Sequence, residues 1–212
     1  METGEALANV EARAVTYSFL SGMFLREVSQ DFLERLAAEP PHLGGELEGF
    51  AVGLATADLS TVRRDAAAEF AALLLGMSAD PVHPYESVYT SPEHLLMQEA
   101  RDEVVACYLS EGLGLPAENT TPEDHLSFEL QFMAKLIERA QAALEAGDDA
   151  RYAALCEKQR LFFDEHLAGW VPRLCADVRA YARTAFYRGI ADITEGFLAL
   201  EDQVIEPVGK AA

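Results

Sequence analysis

The sequence predicts an all-α fold, a compact bundle of roughly nine helices in two lobes joined by a hinge, on three observations. Apolar residues recur at steps of three and four along most of the chain, the period of a buried helical face. No period-two strand pattern or hairpin dipeptide interrupts them. No repeat of about 34 or 40 residues is present, which removes the common helical solenoids.

Each element follows from its apolar spacing and its breakers. Leu7, Val10, Ala14, Tyr17, Leu20 and Phe24 mark a first helix running to about Arg26. Ser29 caps a short second helix through Leu36, and Glu39-Pro-Pro41 stops it, because proline lacks an N–H and clashes with the preceding turn. A third helix covers about Leu43 to Thr56, and Val62, Ala66, Phe70, Leu73 and Leu74 mark a fourth that ends near Gly76. The stretch DPVHPYESVYTSPEH, residues 80–94, then reads as extended, with prolines at 81, 84 and 92.

Ser91-Pro92 supplies a cap and first-turn proline for a helix through about Leu109, and residues 111–119, EGLGLPAEN, make a second long break. Thr121-Pro122-Glu123-Asp124 opens the next helix, with the threonine as cap and both acids in its positive first turn. Leu126, Leu130, Met133, Ile137, Ala140 and Leu144 form its buried face; Gly147 ends it, and Asp148 begins another helix through about Leu167. Trp170-Val-Pro172 makes a corner before one or two last helices carrying Val178, Tyr181, Phe186, Ile190, Phe197 and Leu198. The expected division is an N-terminal lobe 1–110 containing the proline-rich loop 80–92, a hinge at 111–121 with Gly112 and Gly114, and a C-terminal lobe 122–212.

Composition limits the function. Half of the 212 residues are apolar, enough for a core without staples. The net charge of -20, from 36 acids and 16 bases, argues against nucleic acid and anionic membrane surfaces and favours a basic partner. Three cysteines, at 107, 156 and 175, are too few and too scattered for a disulfide framework and fit a reducing compartment. The start METGEALANVEARAV has no basic region followed by an apolar run, and no run of about 20 apolar residues occurs. A cytoplasmic protein without membrane insertion is expected.

Catalytic motifs fail on context. Gly112-Leu-Gly114-Leu-Pro-Ala117 fits a dinucleotide fingerprint by letter, but it follows a helix instead of a strand, and Pro116 sits inside it. Glu39-Pro-Pro-His42 has di-iron spacing across a double proline, which is a turn. There is no phosphate loop or zinc-protease motif, and the histidines at 42, 83, 94, 125 and 166 have no ligand-pair spacing. No metal, no cofactor and no enzymatic activity are expected, and no nucleophile is signalled.

The two breaks carry the remaining signal. A structureless connection longer than about 12 residues is uncommon in a compact domain without a role, and its prolines hold Tyr85 and Tyr89 in a stiff frame. The alternative is that Tyr85, Val88 and Tyr89 plug a gap between helices. "HPYESVY", followed some 35 residues later by "PEDHLSFELQFMAKL", resembles the paired signature of the TorD/DmsD family of redox-enzyme maturation chaperones. The opening "RAVTYSFLSGMFLRE" and the tail "FFDEHLAGWVPRLCADVRAYARTAFYRGIADITEGFL" are similar to that family's first and last helices, so the likeness spans nearly the whole chain. One departure is that the only tryptophan is Trp170, whereas several relatives carry tryptophans around the first loop.

The resemblance implies a non-enzymatic, cytoplasmic chaperone. Its partner would be the precursor of an exported molybdopterin oxidoreductase, bound through its twin-arginine signal peptide, aided in cofactor insertion and held from export until folded. At matching positions it points to Pro84, Glu86, Ser87 and Tyr89 on one side and Pro122, Asp124 and His125 on the other. The residues agree with it on physical grounds: paired guanidinium groups call for carboxylates, here Glu86, Glu123 and Asp124, beside an apolar trough to which Tyr85 and Tyr89 contribute. The alternatives are a structural assembly subunit of an oxidoreductase complex and a GTP-dependent switch. The expected state is a monomer, with a domain-swapped dimer through the hinge as its variant.

Overall fold

The computed structural model describes residues 2–205, with side chains from Val10 onward. Among them run ten helices: α1 (Glu2–Leu25), α2 (Gln30–Ala38), α3 (Gly45–Leu54), α4 (Leu59–Leu74), α5 (Glu86–Thr90), α6 (Glu99–Ser110), α7 (Leu126–Glu145), α8 (Asp149–His166), α9 (Val171–Tyr181) and α10 (Ala185–Val204). There is no strand among the described residues, only an isolated antiparallel bridge between Tyr85 and His125. The all-α class therefore holds. No described helix is long and apolar enough to cross a membrane.

Local chemistry explains most boundaries. Ser29 accepts the Phe32 N–H at 3.1 Å and caps α2; Asp148 does the same for Arg151 at the start of α8. Val10, Ala14, Tyr17, Leu20 and Phe24 are buried along α1; Leu7, expected on the same face, lies outside the residues whose side chains are described. Leu126, Leu130, Met133 and Ile137 are fully buried along α7. Tyr181 departs from expectation: it ends α9 and is 53 % exposed.

Two boundaries move. The stretch at 80–94 is not extended throughout, because α5 forms inside it, and Ser91 closes α5 instead of opening α6, which starts at Glu99. The helix expected from Thr121 begins at Leu126, with His125 as its cap. Pro172 falls in the first turn of α9, where its missing N–H costs nothing.

Contacts divide the chain into two units. The first takes in the chain up to Gly22, Tyr85–Val171 and the chain from Leu198; the second takes in Met23–Pro84 and Pro172–Phe197. This division differs from two lobes around residues 111–121, a segment that lies inside the first unit. There Arg139 donates to the Glu111 carbonyl at 2.9 Å and to its carboxylate at 2.7 Å, and Lys158 adds a second ion pair. In the same unit α7 packs along α8, and Arg13 grips both carboxylate oxygens of Glu201, at 2.7 and 2.8 Å, and reaches Gln159 at 3.0 Å.

In the second unit α2 packs against α3 and α4, and Phe186 lies 6.2 Å from Phe32 and 5.2 Å from Phe50, ring centre to ring centre. The buried carboxylate of Glu69 accepts the Arg183 and Thr184 N–H groups just ahead of α10, where the first N–H groups of a helix lack intrahelical partners. Gly189 on α10 is the point of closest approach, since a Cβ there would stand 2.6 Å from Leu47 N and 2.7 Å from its Cβ. Gly196 on the same helix meets nothing within 4 Å.

Gly189→Ala is expected to destabilise the fold by about 1–3 kcal/mol through overpacking. Gly196→Ala should stabilise it by up to about 1 kcal/mol, because it removes backbone freedom from the unfolded chain without a clash. Denaturant unfolding of the two variants checks the pair, and a neutral Gly189→Ala would contradict the close crossing.

Candidate functional site

The two segments singled out in the sequence are clipped to each other. Tyr85 and His125 face one another in the antiparallel bridge, with ring centres 4.9 Å apart and edge to face. Next to it, the Asp124 carbonyl accepts the Glu86 N–H at 3.0 Å, and Asp124 Oδ2 accepts the Ser87 N–H at 2.9 Å. These two N–H groups open α5, so Asp124 does for this short helix what a cap does for a longer one. His125 caps α7 through Nδ1, which accepts the Ser127 N–H at 3.1 Å and lies 2.8 Å from its hydroxyl. Burial pushes His125 down to about 4, so it is a neutral acceptor at physiological pH.

Glu86 points inward from α5. Its Oε2 lies 3.0 Å from Nδ1 of His166 on α8, and both side chains are 3 % exposed. Burial opposes the His166 imidazolium, but hydrogen bonds to Cys107 and Glu86 and the Glu86 charge outweigh it, and the pKa rises to about 10. Trp170 Nε1 donates to the His166 carbonyl, and Phe162 packs on the imidazole at 4.8 Å. Glu129 of α7 is fully buried nearby; burial and the charges of Glu86 and Asp124 hold its carboxyl well above the usual range, which favours the neutral acid. Neither Glu129 oxygen meets a partner in good hydrogen-bond geometry, nor does Asp124 Oδ1.

The loop leaving α5 is stitched back onto it. Ser87 Oγ accepts the Gln98 N–H at 3.1 Å, and His94 Nδ1 donates to the Val88 carbonyl at 2.8 Å. His94 and Met97 adopt positive φ angles of 54° and 59°, which side chains other than glycine rarely do. The turn leaves Leu95, Leu96 and Met97 at the surface, 57, 42 and 61 % exposed. Beside it opens a cleft of about 350 Å³, walled by Glu93 of the loop, Glu99 and Glu103 of α6 and Glu165 of α8, with Glu86 among its lining residues. None of the residues lining it is basic.

The residues singled out in the sequence thus fall into distinct places. Tyr85, Glu86, Ser87, Asp124 and His125 come together in the clip. Tyr89 is half-buried with its ring 5.5 Å from Trp170, which brings it close to the gap-filling alternative. Pro84 is buried and closes the first segment of the second unit. Pro122 is half-buried and accepts the His125 N–H at 3.2 Å in the turn before α7. Glu123 is held by Arg101 through two bonds of 2.7 and 2.9 Å, so its charge is already matched.

Asp124 departs from expectation. It precedes the cap of α7 instead of lying in the helix's first turn, and it is fully buried with its charge directed at a backbone N–H. Of the three acids expected to meet guanidinium groups, only Glu86 borders an open cleft. The carboxylates that do face it, Glu93, Glu99, Glu103 and Glu165, were missed because no local pattern separates them from the other surface acids of an acidic chain. Among the described residues no group of three or more His, Cys, Asp or Glu could hold a metal ion.

Known proteins are similar to this chain over most of its length. Residues 40–176 match the family described as the nitrate reductase delta subunit. A relative from Photobacterium profundum named "Chaperone protein TorD" is 28 % identical over 213 residues, covering 93 % of this chain and 95 % of its own. Proteins of the same name from Psychrobacter sp. and Ferrimonas balearica are each 26 % identical, covering 94 and 97 % of this chain and 94 and 95 % of theirs.

Two outcomes are expected of the clip and the buried pair. Asp124→Ala should destabilise the protein by about 1.5–3 kcal/mol, the range for a hydrogen bond to a charged group, and a thermal melt within a degree of wild type would contradict the anchor. His166 in the folded protein keeps its proton between about pH 6.5 and pH 10, where the unfolded imidazole has lost it. Its contribution is therefore complete below about pH 6.5 and lost as pH rises to about 10, and the raised Glu129 carboxyl acts in the same direction. Melting temperature should fall across that window, and His166→Gln should flatten the decline.

Proposed function

We propose, from the premise that the chain belongs to the nitrate reductase delta subunit family, that it is a chaperone in redox-enzyme maturation. In this reading it binds the twin-arginine signal peptide of a molybdopterin oxidoreductase precursor in the cytoplasm and delays export until the cofactor is in place. The observation that carries the reading is the acidic cleft and its apolar neighbour. Four exposed carboxylates face one cavity with no lysine or arginine lining it, and arginine is the cation that carboxylates hold best, through two charge-assisted bonds in one plane.

The apolar part of such a peptide has two places to go. Leu95, Leu96 and Met97 stand beside the cleft on a loop whose ends are tied to α5. Further along α6, Tyr108, Leu113, Leu115, Phe128 and Phe132 line a second pocket of about 180 Å³. The clip then has a supporting role: it fixes the loop before the peptide arrives, so less freedom is lost on binding. The name carried by the relatives, chaperone, fits a protein that binds without turnover.

The test is calorimetric titration with a synthetic twin-arginine signal peptide. The Glu99→Gln, Glu103→Gln double variant should bind about ten-fold more weakly or worse, a loss of about 1.4 kcal/mol, with helix content unchanged. Peptide with both arginines replaced by lysine should also bind more weakly, because the fork is lost while the charge stays. Rising salt should reduce the affinity of the native pair, since these carboxylates are exposed. Equal affinities for wild type and double variant would remove the cleft from the reading. Recovery of the chain in fixed ratio with mature exported enzyme, instead of with its precursor, would favour an assembly subunit.

A further inference from the structure

The thiol of Cys107 on α6 lies 3.9 Å from Nε2 of His166 on α8, whose other ring nitrogen lies 3.0 Å from Oε2 of Glu86 on α5. Thiol, imidazole and carboxylate form one line contributed by three helices. The line starts in the interior, where Glu86 and His166 are 3 and 2 % exposed, and ends at Cys107, which is half-buried. Trp170 and Phe162 hold the imidazole in place, by the indole bond to its backbone carbonyl and by ring packing. A thiol beside a cationic imidazole that a third group orients is an arrangement by which cysteines become reactive.

We propose that Cys107 is an activated thiol and a site of modification by small disulfides, with the His166 side chain stabilising its thiolate and Glu86 positioning the imidazole. The Cys107 sulfur attacks one sulfur of the disulfide, and a new S–S bond forms as the old one breaks. The Cys107 proton leaves to solvent as the thiolate forms, and the departing thiolate takes up a proton from solvent. Cys107 is oxidised to a mixed disulfide, half of the small disulfide is reduced, and no further oxidant enters.

The groups that face this line are Glu86 from α5, Tyr108 beside Cys107 on α6, Asp124 ahead of α7 and Glu129 on it. All are acidic or neutral, and Tyr108 is occupied in donating to the Glu123 carbonyl at 3.1 Å. His166 is thus the cation of the cluster, and its raised pKa, about 10, keeps an imidazolium beside the sulfur at neutral pH. The other cysteines serve as internal standards. Cys156 is also half-buried, whereas Cys175 is fully buried and its thiol is pushed up to about 12, by burial first and by nearby Glu195 second. The inference does not depend on peptide binding.

The experiment treats the full chain, freshly reduced and freed of reductant, with oxidised glutathione and with an aromatic disulfide. Mass spectrometry then follows each cysteine-bearing peptide over time. Near neutral pH, Cys107 should be modified about ten-fold faster than Cys156 or more, and the two rates should converge in denaturant. Cys175 should react only after unfolding. Glu86→Gln should slow Cys107 by about three-fold or more and displace its rate–pH curve while leaving Cys156 unchanged. His166→Gln should slow it further. Equal native rates for Cys107 and Cys156 overturn the proposal, a comparison that needs no variant. An unchanged Cys107 rate and rate–pH curve in folded Glu86→Gln would also overturn it.

Discussion

Asp124 holds the N–H groups of two residues in another segment, and the layout of the site depends on that anchor. Its carbonyl and one carboxylate oxygen fix Glu86 and Ser87. Once those two are placed, α5 starts at Glu86, the Glu86 side chain turns inward to His166, and the chain beyond Thr90 is carried out to the loop of Leu95, Leu96 and Met97. A fully buried carboxylate is costly unless its charge is met. Here the Ser87 N–H meets one of its oxygens, and the cost is converted into a defined position for the start of α5.

The molecule uses its acids in two ways. Those near the clip are buried, and each is accommodated by a different means: Asp124 by the Ser87 N–H, Glu86 by the His166 imidazolium, Glu129 by an environment that favours its neutral form. Those around the cleft are exposed and unmatched by any basic residue lining it. Glu86 belongs to both groups, since it bonds His166 and also lines the cleft. The same carboxylate therefore links the interior polar cluster, through His166 to Cys107, with the surface available to a cationic partner.

The loop at 91–98 illustrates how rigidity is obtained without regular structure. Two hydrogen bonds return it to α5, and two residues other than glycine accept left-handed backbone geometry. Strain of that kind persists only where the surroundings over-determine it. The outcome is a run of three exposed apolar side chains held at a fixed place beside a negatively charged cavity.

Features governed by near neighbours were legible in the sequence. The Ser29 and Asp148 caps, the buried stripe of α7 and the all-α class rest on interactions within a few residues, and side-chain periodicity records them directly. The motifs HPYESVY and PEDH were recognisable as a pair, but their geometry was not, because α5 and the true start of α7 depend on contacts between the segments. Ser87 and Asp124 are 37 residues apart, Cys107 and His166 are 59 apart, and Glu86 and His166 are 80 apart. The walls of the cleft likewise come from a loop and two helices, with no spacing rule to join them. Sequence alone determined the all-α class and most of its helices. Tertiary structure decided which acids are buried and which stay open, because burial depends on what the rest of the chain places over a side chain.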